Sequence, residues 1–71
     1  MKPDWKTAPV WANWLAMDDN GIWFWFEQIP HISKKKPIWI SINGEYTFAG
    51  RFETVTDKWK ESLEERPEIK R

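Results

Sequence analysis

The absence of cysteine from a chain of 71 residues is the feature that most restricts its fold. Chains this short lie near the lower limit for independent folding, and many are held together by disulfides or a bound metal ion. Without cysteine, neither a disulfide framework nor a thiolate metal site can form, and a lone histidine, His31, excludes most histidine-rich sites. Burial of apolar side chains must therefore supply the folding free energy, and we expect no cofactor and no metal ion.

Aromatic side chains are the main apolar resource of this chain. It contains seven Trp, four Phe and one Tyr, and each ring can bury about 150–250 Å². This supply is generous for the core of one small domain. We therefore expect some of the rings to remain at the surface.

The first β-hairpin is predicted at Asn20-Gly21, which precedes a β-branched and aromatic run. Asn-Gly between two apolar runs is the strongest short-range hairpin signal. A two-residue turn pairs Ala16 with Trp25, and this is the expected register. It collects three tryptophans on one sheet face, namely Trp14, Trp23 and Trp25. A three-residue loop would instead pair Met17 with Trp23 and mix the residues of the two faces.

A second hairpin is predicted over residues 38–48, with its turn at Asn43-Gly44. In this hairpin Trp39 pairs with Phe48. Before it, Pro30 is expected to take the chain out of the sheet, because proline cannot donate to a strand ladder.

The last part of the chain predicts a short α-helix over about residues 57–66. Thr56 is a suitable N-cap, and the spacing of Trp59 and Leu63 places both on one helix face. Pro67 marks the end of the helix. With so few apolar contacts, this helix must pack on the sheet to be stable.

The predicted organisation is a flexible lead-in at residues 1–9, one β-rich domain at residues 10–66 and a frayed tail at residues 67–71. Pro3 and Pro9 bias the lead-in toward extended backbone. The expected fold class is mainly β (α+β), with two antiparallel hairpins in a three- or four-stranded sheet and one short C-terminal α-helix.

Three segments of the sequence carry a resemblance to a known group of proteins. They are Trp14 with the turn Asp18-Asp19-Asn20-Gly21, the strand Trp23-Phe24-Trp25-Phe26-Glu27 followed by Pro30, and the tail Trp59-Lys60-Glu61-Ser62-Leu63-Glu64-Glu65-Arg66-Pro67. Over roughly residues 9–67 the chain resembles a family of small, uncharacterised proteins of tailed bacteriophages and prophages. The resemblance implies a phage origin and assigns no activity. Absence of cysteine suits a reducing compartment, and we expect the cytoplasm of a bacterial host cell.

No arrangement of residues in the sequence points to catalysis. Asp18-Asp19 lies at a turn, where aspartate side chains commonly cap the backbone, and His31 has no neighbouring acid or nucleophile to work with. Glycine-rich phosphate loops and metal-ligand spacings do not occur. The longest apolar run, residues 22–26, is too short to cross a bilayer. We therefore expect a binding protein and not an enzyme, with no membrane partner.

The excess of tryptophan predicts a surface for a protein partner. Trp is enriched at the energetic centres of interfaces, and one short helix cannot cover both faces of a sheet. The candidate partner-binding residues are Trp14, Trp23, Trp25 and Trp39. The leading hypothesis is an accessory protein that binds a host or phage protein, and a homodimer with these faces buried is the structural alternative. Closure of the open face by the lead-in around Trp5 would remove this surface.

Single-stranded nucleic acid is the other candidate partner. Lys34, Lys35 and Lys36 can contact phosphates while aromatic rings such as Tyr46 stack on bases. Eleven basic and eleven acidic side chains give a formal charge of zero, which counts against this hypothesis. Flat aromatic rings also suit sugar rings, but no polar cluster in the sequence supports a carbohydrate site.

Overall fold

The structure, a computed structural model, describes residues 2–52 and 57–67. The elements in these ranges are a first 3-10 helix (Trp5–Thr7), β1 (Trp14–Met17), β2 (Ile22–Phe26), β3 (His31–Ile32), β4 (Trp39–Ile40), β5 (Tyr46–Arg51), a second 3-10 helix (Asp57–Glu61) and β6 (Glu64–Glu65). The mainly β class is confirmed, and no α-helix occurs in the described part of the chain.

Strand β1 lies at the centre of the main sheet. Four antiparallel strands form this sheet in the order β5-β2-β1-β6, and β3 pairs with β4 in a separate two-stranded sheet. Leu15 and Ala16 of β1 have no exposed surface. The core is therefore built around β1, which is paired on both edges and covered on both faces.

The first hairpin forms as predicted, but its expected register is wrong. Met17 pairs with Trp23, as a three-residue loop requires. Asp18 N–H donates to the Ile22 carbonyl (2.9 Å) and closes the loop. Gly21 has a φ of 85°, the left-handed conformation that three-residue hairpin loops need at their last position. A two-residue type I′ turn would also require a positive φ at Asn20, whereas the longer loop requires it only at Gly21.

This register sorts the side chains of the main sheet into two faces, because successive residues of a strand point to opposite sides. We call one the tryptophan face; it carries Leu15, Met17, Trp23 and Trp25. We call the other the phenylalanine face; it carries Trp14, Ala16, Phe24 and Phe26, and β5 adds Tyr46 and Phe48. The expected grouping of Trp14 with the other two tryptophans is therefore wrong.

The predicted second hairpin is wrong, because its two strands join different sheets. β4 pairs with β3, with Trp39 opposite Ile32, so the chain after Pro30 returns to a strand. β5 pairs with β2, which places Phe48 opposite Phe24 with a register shift beside it. Phe24 gains ring contacts with β5 in this arrangement, and cross-strand aromatic pairs stabilise a sheet. The Asn43-Gly44 turn therefore connects the two sheets.

The predicted α-helix over residues 57–66 is also wrong. The chain forms a 3-10 helix that ends at Glu61, and β6 then pairs with β1. An α-helix here would bury only Trp59 and Leu63, whereas β6 satisfies the main-chain groups along the open edge of β1. The predicted N-cap Thr56 lies outside the described residues, as does the tail after Pro67.

The lead-in is a folded segment, which corrects the expectation of an extended one. Asp4 caps the first 3-10 helix by accepting a hydrogen bond from Lys6 N–H (2.9 Å). The ring of Trp5 packs on that of Trp25, with centroids 4.8 Å apart. The guanidinium carbon of Arg66 lies 5.6 Å from the centroid of the Trp5 ring and makes a cation–π contact with it. The lead-in therefore covers part of the tryptophan face.

The end of β1 holds two further tryptophans. The Met17 carbonyl accepts a hydrogen bond from Trp39 Nε1 (2.9 Å). Met17 N–H donates to Ser62 Oγ (2.8 Å), and that hydroxyl lies 2.6 Å from the Trp59 carbonyl oxygen, to which it donates. The two rings meet edge to face, with centroids 6.3 Å apart. Residues of β4 and of the second 3-10 helix are thus held next to Met17 at the end of β1.

Replacing Trp39 with Phe is expected to lower the free energy of unfolding by about 1–3 kcal/mol beyond the effect of ring size, because the buried Met17 carbonyl loses its indole donor. Trp23→Phe is the matched control, since Trp23 Nε1 has no hydrogen-bond partner within the described residues. Urea denaturation of both variants provides the comparison. Equal losses of stability would contradict the proposed importance of the Trp39 hydrogen bond.

Candidate functional site

The structure buries three of the four tryptophans that the sequence predicts as partner-binding residues. Trp23, Trp25 and Trp39 are only 7%, 3% and 8% exposed, and Trp14 is partly buried. The expectation that these residues form an exposed surface is therefore wrong. They belong to the core because Trp5 covers Trp25, and because the indole of Trp39 is engaged at the end of β1.

The lead-in is anchored through Glu64, which accepts hydrogen bonds from Trp5 Nε1 and Lys2 Nζ. Burial raises the pKa of the Glu64 carboxyl, but the hydrogen bonds from Lys2 and Trp5 and the charge of Lys2 outweigh this effect. Its pKa therefore lies below the ordinary value. The lead-in is therefore held over the tryptophan face by the Glu64 carboxylate, which stays ionised at neutral pH.

The exposed aromatic surface lies on the opposite side of the sheet. Tyr46 and Phe48 of β5 are each 59% exposed, and both rings contact the partly buried ring of Phe24, with centroid distances of 6.3 Å. Tyr46 also stacks on the buried Phe26 at 6.2 Å. We call Phe24, Tyr46 and Phe48 the aromatic patch. Its rings are presented by paired strands, so the surface is rigid.

An apolar cleft of about 280 Å³ runs along one side of the aromatic patch. Its walls come from the main sheet and from the chain around β4. The lining residues are Asp18, Phe24, Phe26, Ile38, Trp39, Ile40, Ser41 and Tyr46. Ile40, one of the lining residues, is 37% exposed and extends the apolar surface. The aromatic patch and the cleft form a continuous apolar surface.

Asp18 is the buried acid of this region. Its carboxylate accepts a hydrogen bond from Trp39 N–H (2.8 Å), and only 7% of the residue is exposed. Burial raises the pKa of Asp18, the hydrogen bond from Trp39 lowers it, and the charge of Asp19 raises it. The net pKa lies above the ordinary value. Asp18 therefore has a structural contact that fixes β4, and its ionised form is disfavoured by burial.

The predicted nucleic-acid residues do not meet in one place. A second cleft of about 260 Å³ is lined by Lys34, Lys35, Lys36 and also by Lys60, and we call this the lysine cleft. Tyr46 lines the apolar cleft instead. Trp59 is the aromatic residue of the lysine cleft, but it is buried and contributes little ring surface. The structure therefore groups the cations and separates them from the exposed rings.

Trp14 lies in a third, polar cleft of about 630 Å³. The other lining residues are Asn13, Glu27, Gln28, Glu65, Arg66 and Pro67. The side chains of Asn13 and Arg66 donate hydrogen bonds to backbone carbonyls. One of these bonds joins Arg66 Nη1 to the Ala12 carbonyl oxygen at 2.7 Å. These two side chains therefore support the fold, and the partly buried Trp14 offers less free ring surface than the aromatic patch.

The described residues form no metal site and no membrane-spanning helix. His31 lies in β3 and is exposed. Within residues 2–52 and 57–67, no group of three or more His, Cys, Asp or Glu side chains is placed to hold a metal ion. In the same ranges, no helix has the length and apolar character needed to cross a membrane.

Comparisons with protein-family models, with curated proteins and with solved structures found no match to this chain. The candidate site therefore depends on geometry alone. Sequence reasoning named Tyr46 only for nucleic acid and did not single out Phe48 or Ile40. The signal was present, since Tyr46 and Phe48 alternate along a strand and would share a face with Phe24 once β5 is placed beside β2.

Asp18→Asn is expected to remove a pH-dependent part of the stability. Because the folded-state pKa is raised, the contribution of Asp18 is fully present below its unfolded pKa of about 3.9 and is lost as the pH rises through the folded value. Asparagine keeps an oxygen acceptor for Trp39 N–H and remains neutral. The variant should therefore be at least as stable as the parent at neutral pH, with a flatter pH profile.

Urea denaturation between about pH 3 and pH 7 tests this prediction. The Glu64→Gln variant is a useful control, because a lowered pKa gives stability that is present at neutral pH and lost on acidification. A variant Asp18→Asn that loses stability at neutral pH, with an unchanged pH slope, would show that burial of the charge is not the dominant effect.

Proposed function

We propose that this chain is a small, non-catalytic domain that binds a protein partner through the aromatic patch and the adjoining apolar cleft. The observation that carries the proposal is the 59% exposure of both Tyr46 and Phe48 on a paired strand. Among the described residues these are the exposed aromatic rings, whereas the tryptophans are buried or partly buried.

Three properties of this surface support a protein as the partner. Aromatic side chains are enriched in the cores of protein interfaces. Ring contacts with Phe24 hold Tyr46 and Phe48 in place, so little side-chain entropy is lost on binding. The cleft next to them can accept an apolar side chain, and Ile40 forms part of its wall. A continuous apolar surface of this kind marks an interaction site.

The biological setting proposed here follows from the sequence resemblance to small phage and prophage proteins. An accessory protein of that type would act in the cytoplasm of a bacterial host cell and bind a host or phage protein. The proposed binding residues are Phe24, Tyr46 and Phe48 and not the tryptophans predicted from the sequence. The proposed class of partner, a protein, is the same.

The lysine cleft favours a second candidate function, binding of single-stranded nucleic acid. Lys60 joins Lys34, Lys35 and Lys36 from a distant part of the sequence, and among the described residues no acidic side chain lines this cleft. Such a cluster can contact successive phosphates. The aromatic patch is favoured over this cleft because no exposed ring of the described residues lines the lysine cleft.

Removing the two exposed rings of the aromatic patch is expected to weaken partner capture. The immobilised protein is incubated with a bacterial lysate, with and without nuclease, and retained proteins are identified by mass spectrometry. The double variant Tyr46→Ser/Phe48→Ser should retain about tenfold less of a specific partner than the parent. Val10→Ser is the matched control, because Val10 is 95% exposed and lies outside the sheet.

A protein retained after nuclease and at high salt by the parent and the control, but not by the double variant, supports the aromatic patch. Equal retention by the double variant would exclude the patch as the site. Loss of all captured material after nuclease, together with a steep salt dependence, would favour the lysine cleft.

A further inference from the structure

Strand β5 is an edge of the main sheet. It pairs with β2 on one side, and no described strand pairs with its other side. An exposed edge with apolar side chains is a template for strand addition. Lysine and proline, which commonly protect such edges, do not occur among residues 45–51.

The direction of the free main-chain groups on β5 follows from its pairing with β2. Glu27 N–H donates to the Glu45 carbonyl (2.9 Å), so these residues form a hydrogen-bonded pair. Hydrogen-bonded and non-hydrogen-bonded pairs alternate along an antiparallel ladder. Tyr46 and Phe48 therefore sit at non-hydrogen-bonded positions, and their N–H and C=O groups point away from β2. Beyond Phe48 the register shift interrupts this alternation.

An antiparallel copy of β5 satisfies these groups in one register. With Thr47 on a two-fold axis, Tyr46 of one copy faces Phe48 of the other, and each pair can exchange both main-chain hydrogen bonds. Their rings then form aromatic cross-strand pairs on the phenylalanine face. With Phe48 on the axis, Tyr46 would instead face Gly50 of the other copy. Gly50 lies opposite Trp23 after the register shift, so its N–H and C=O groups point to β2 and are not free to pair with Tyr46.

The charged residues at the two ends of β5 lie on different faces of the sheet, because Arg51 pairs with Ile22 after the register shift. Glu27 and Glu45 lie opposite each other at one end, and Arg51 lies at the other. Within the described residues none of the three takes part in an ion pair. In the proposed register Arg51 of one copy is also displaced along the strand by about two residues, roughly 6.6 Å, from Glu45 of the other. The register is therefore set by main-chain hydrogen bonds and aromatic pairs, and not by these charges.

We propose that the occupant of the β5 edge is a second copy of this chain, paired antiparallel about Thr47. The two four-stranded sheets then form one continuous sheet, and the two aromatic patches join across the axis. This inference rests on the proposed function and deepens it, because the joined patches become the surface that a further protein partner meets.

A charge exchange at Thr47 tests the proposal. Thr47 is exposed and lies on the side of the sheet opposite the aromatic patch. In the proposed dimer it faces its own copy at a non-hydrogen-bonded pair, where side chains are closest. Thr47→Lys or Thr47→Glu alone should weaken the dimer by about tenfold or more, and a mixture of the two should restore association. Thr47→Val is the matched neutral control.

Sedimentation of the full chain from micromolar to millimolar concentration measures these outcomes, and circular dichroism checks that each variant folds. A parent that stays monomeric at every concentration, or a Thr47→Lys variant that dimerises like the parent, would overturn the proposal. Phe48→Pro provides an independent check, because it removes an outward N–H and leaves the ladder to β2 intact. If this folded variant dimerises unchanged, the edge is not the contact.

The same variants separate this inference from the proposed function. Thr47→Lys leaves the side chains of the aromatic patch in place. Capture of a foreign protein by monomeric Thr47→Lys, but not by Tyr46→Ser/Phe48→Ser, would keep the protein-binding function and overturn only its dependence on a second copy.

Discussion

The hydrogen bonds that fix Trp39 to the end of β1 are the contacts on which the rest of the architecture depends. The indole donates to the Met17 carbonyl, and the main-chain N–H donates to the Asp18 carboxylate. Trp59 packs edge-on against the same indole. These contacts hold the small sheet of β3 and β4 beside the main sheet, and this placement creates the apolar cleft next to the aromatic patch.

Burial of the tryptophans follows from the shortage of other stabilising elements. A small chain without disulfides must use its largest apolar groups where they remove the most surface from water. Trp23, Trp25 and Trp39 therefore serve the core, and the lead-in residue Trp5 completes it. The smaller rings of Tyr46 and Phe48 remain for interaction. Richness in tryptophan was thus a better indicator of core composition than of a binding surface.

Features that depend on neighbouring residues were predictable from the sequence, and features that depend on distant pairing were not. Turn chemistry at Asn20-Gly21 correctly predicted the first hairpin, but its register depended on the conformation of Gly21. The same signal at Asn43-Gly44 predicted a hairpin that does not form, because β5 pairs with the aromatic strand β2 and β4 pairs with β3. The candidate site was missed for the same reason, since the position of Phe48 is decided by this distant pairing.

The anchoring of the lead-in has a consequence for how the protein reaches its native state. Lys2 and Glu64, which form an ion pair, are separated by 62 positions in the sequence. Such contacts give a high contact order, and folding is expected to be slower than in a helical domain of equal length. During synthesis the outer edge of β1 stays unpaired until β6 has left the ribosome. Nascent chains are therefore exposed to aggregation until β6 becomes available for pairing.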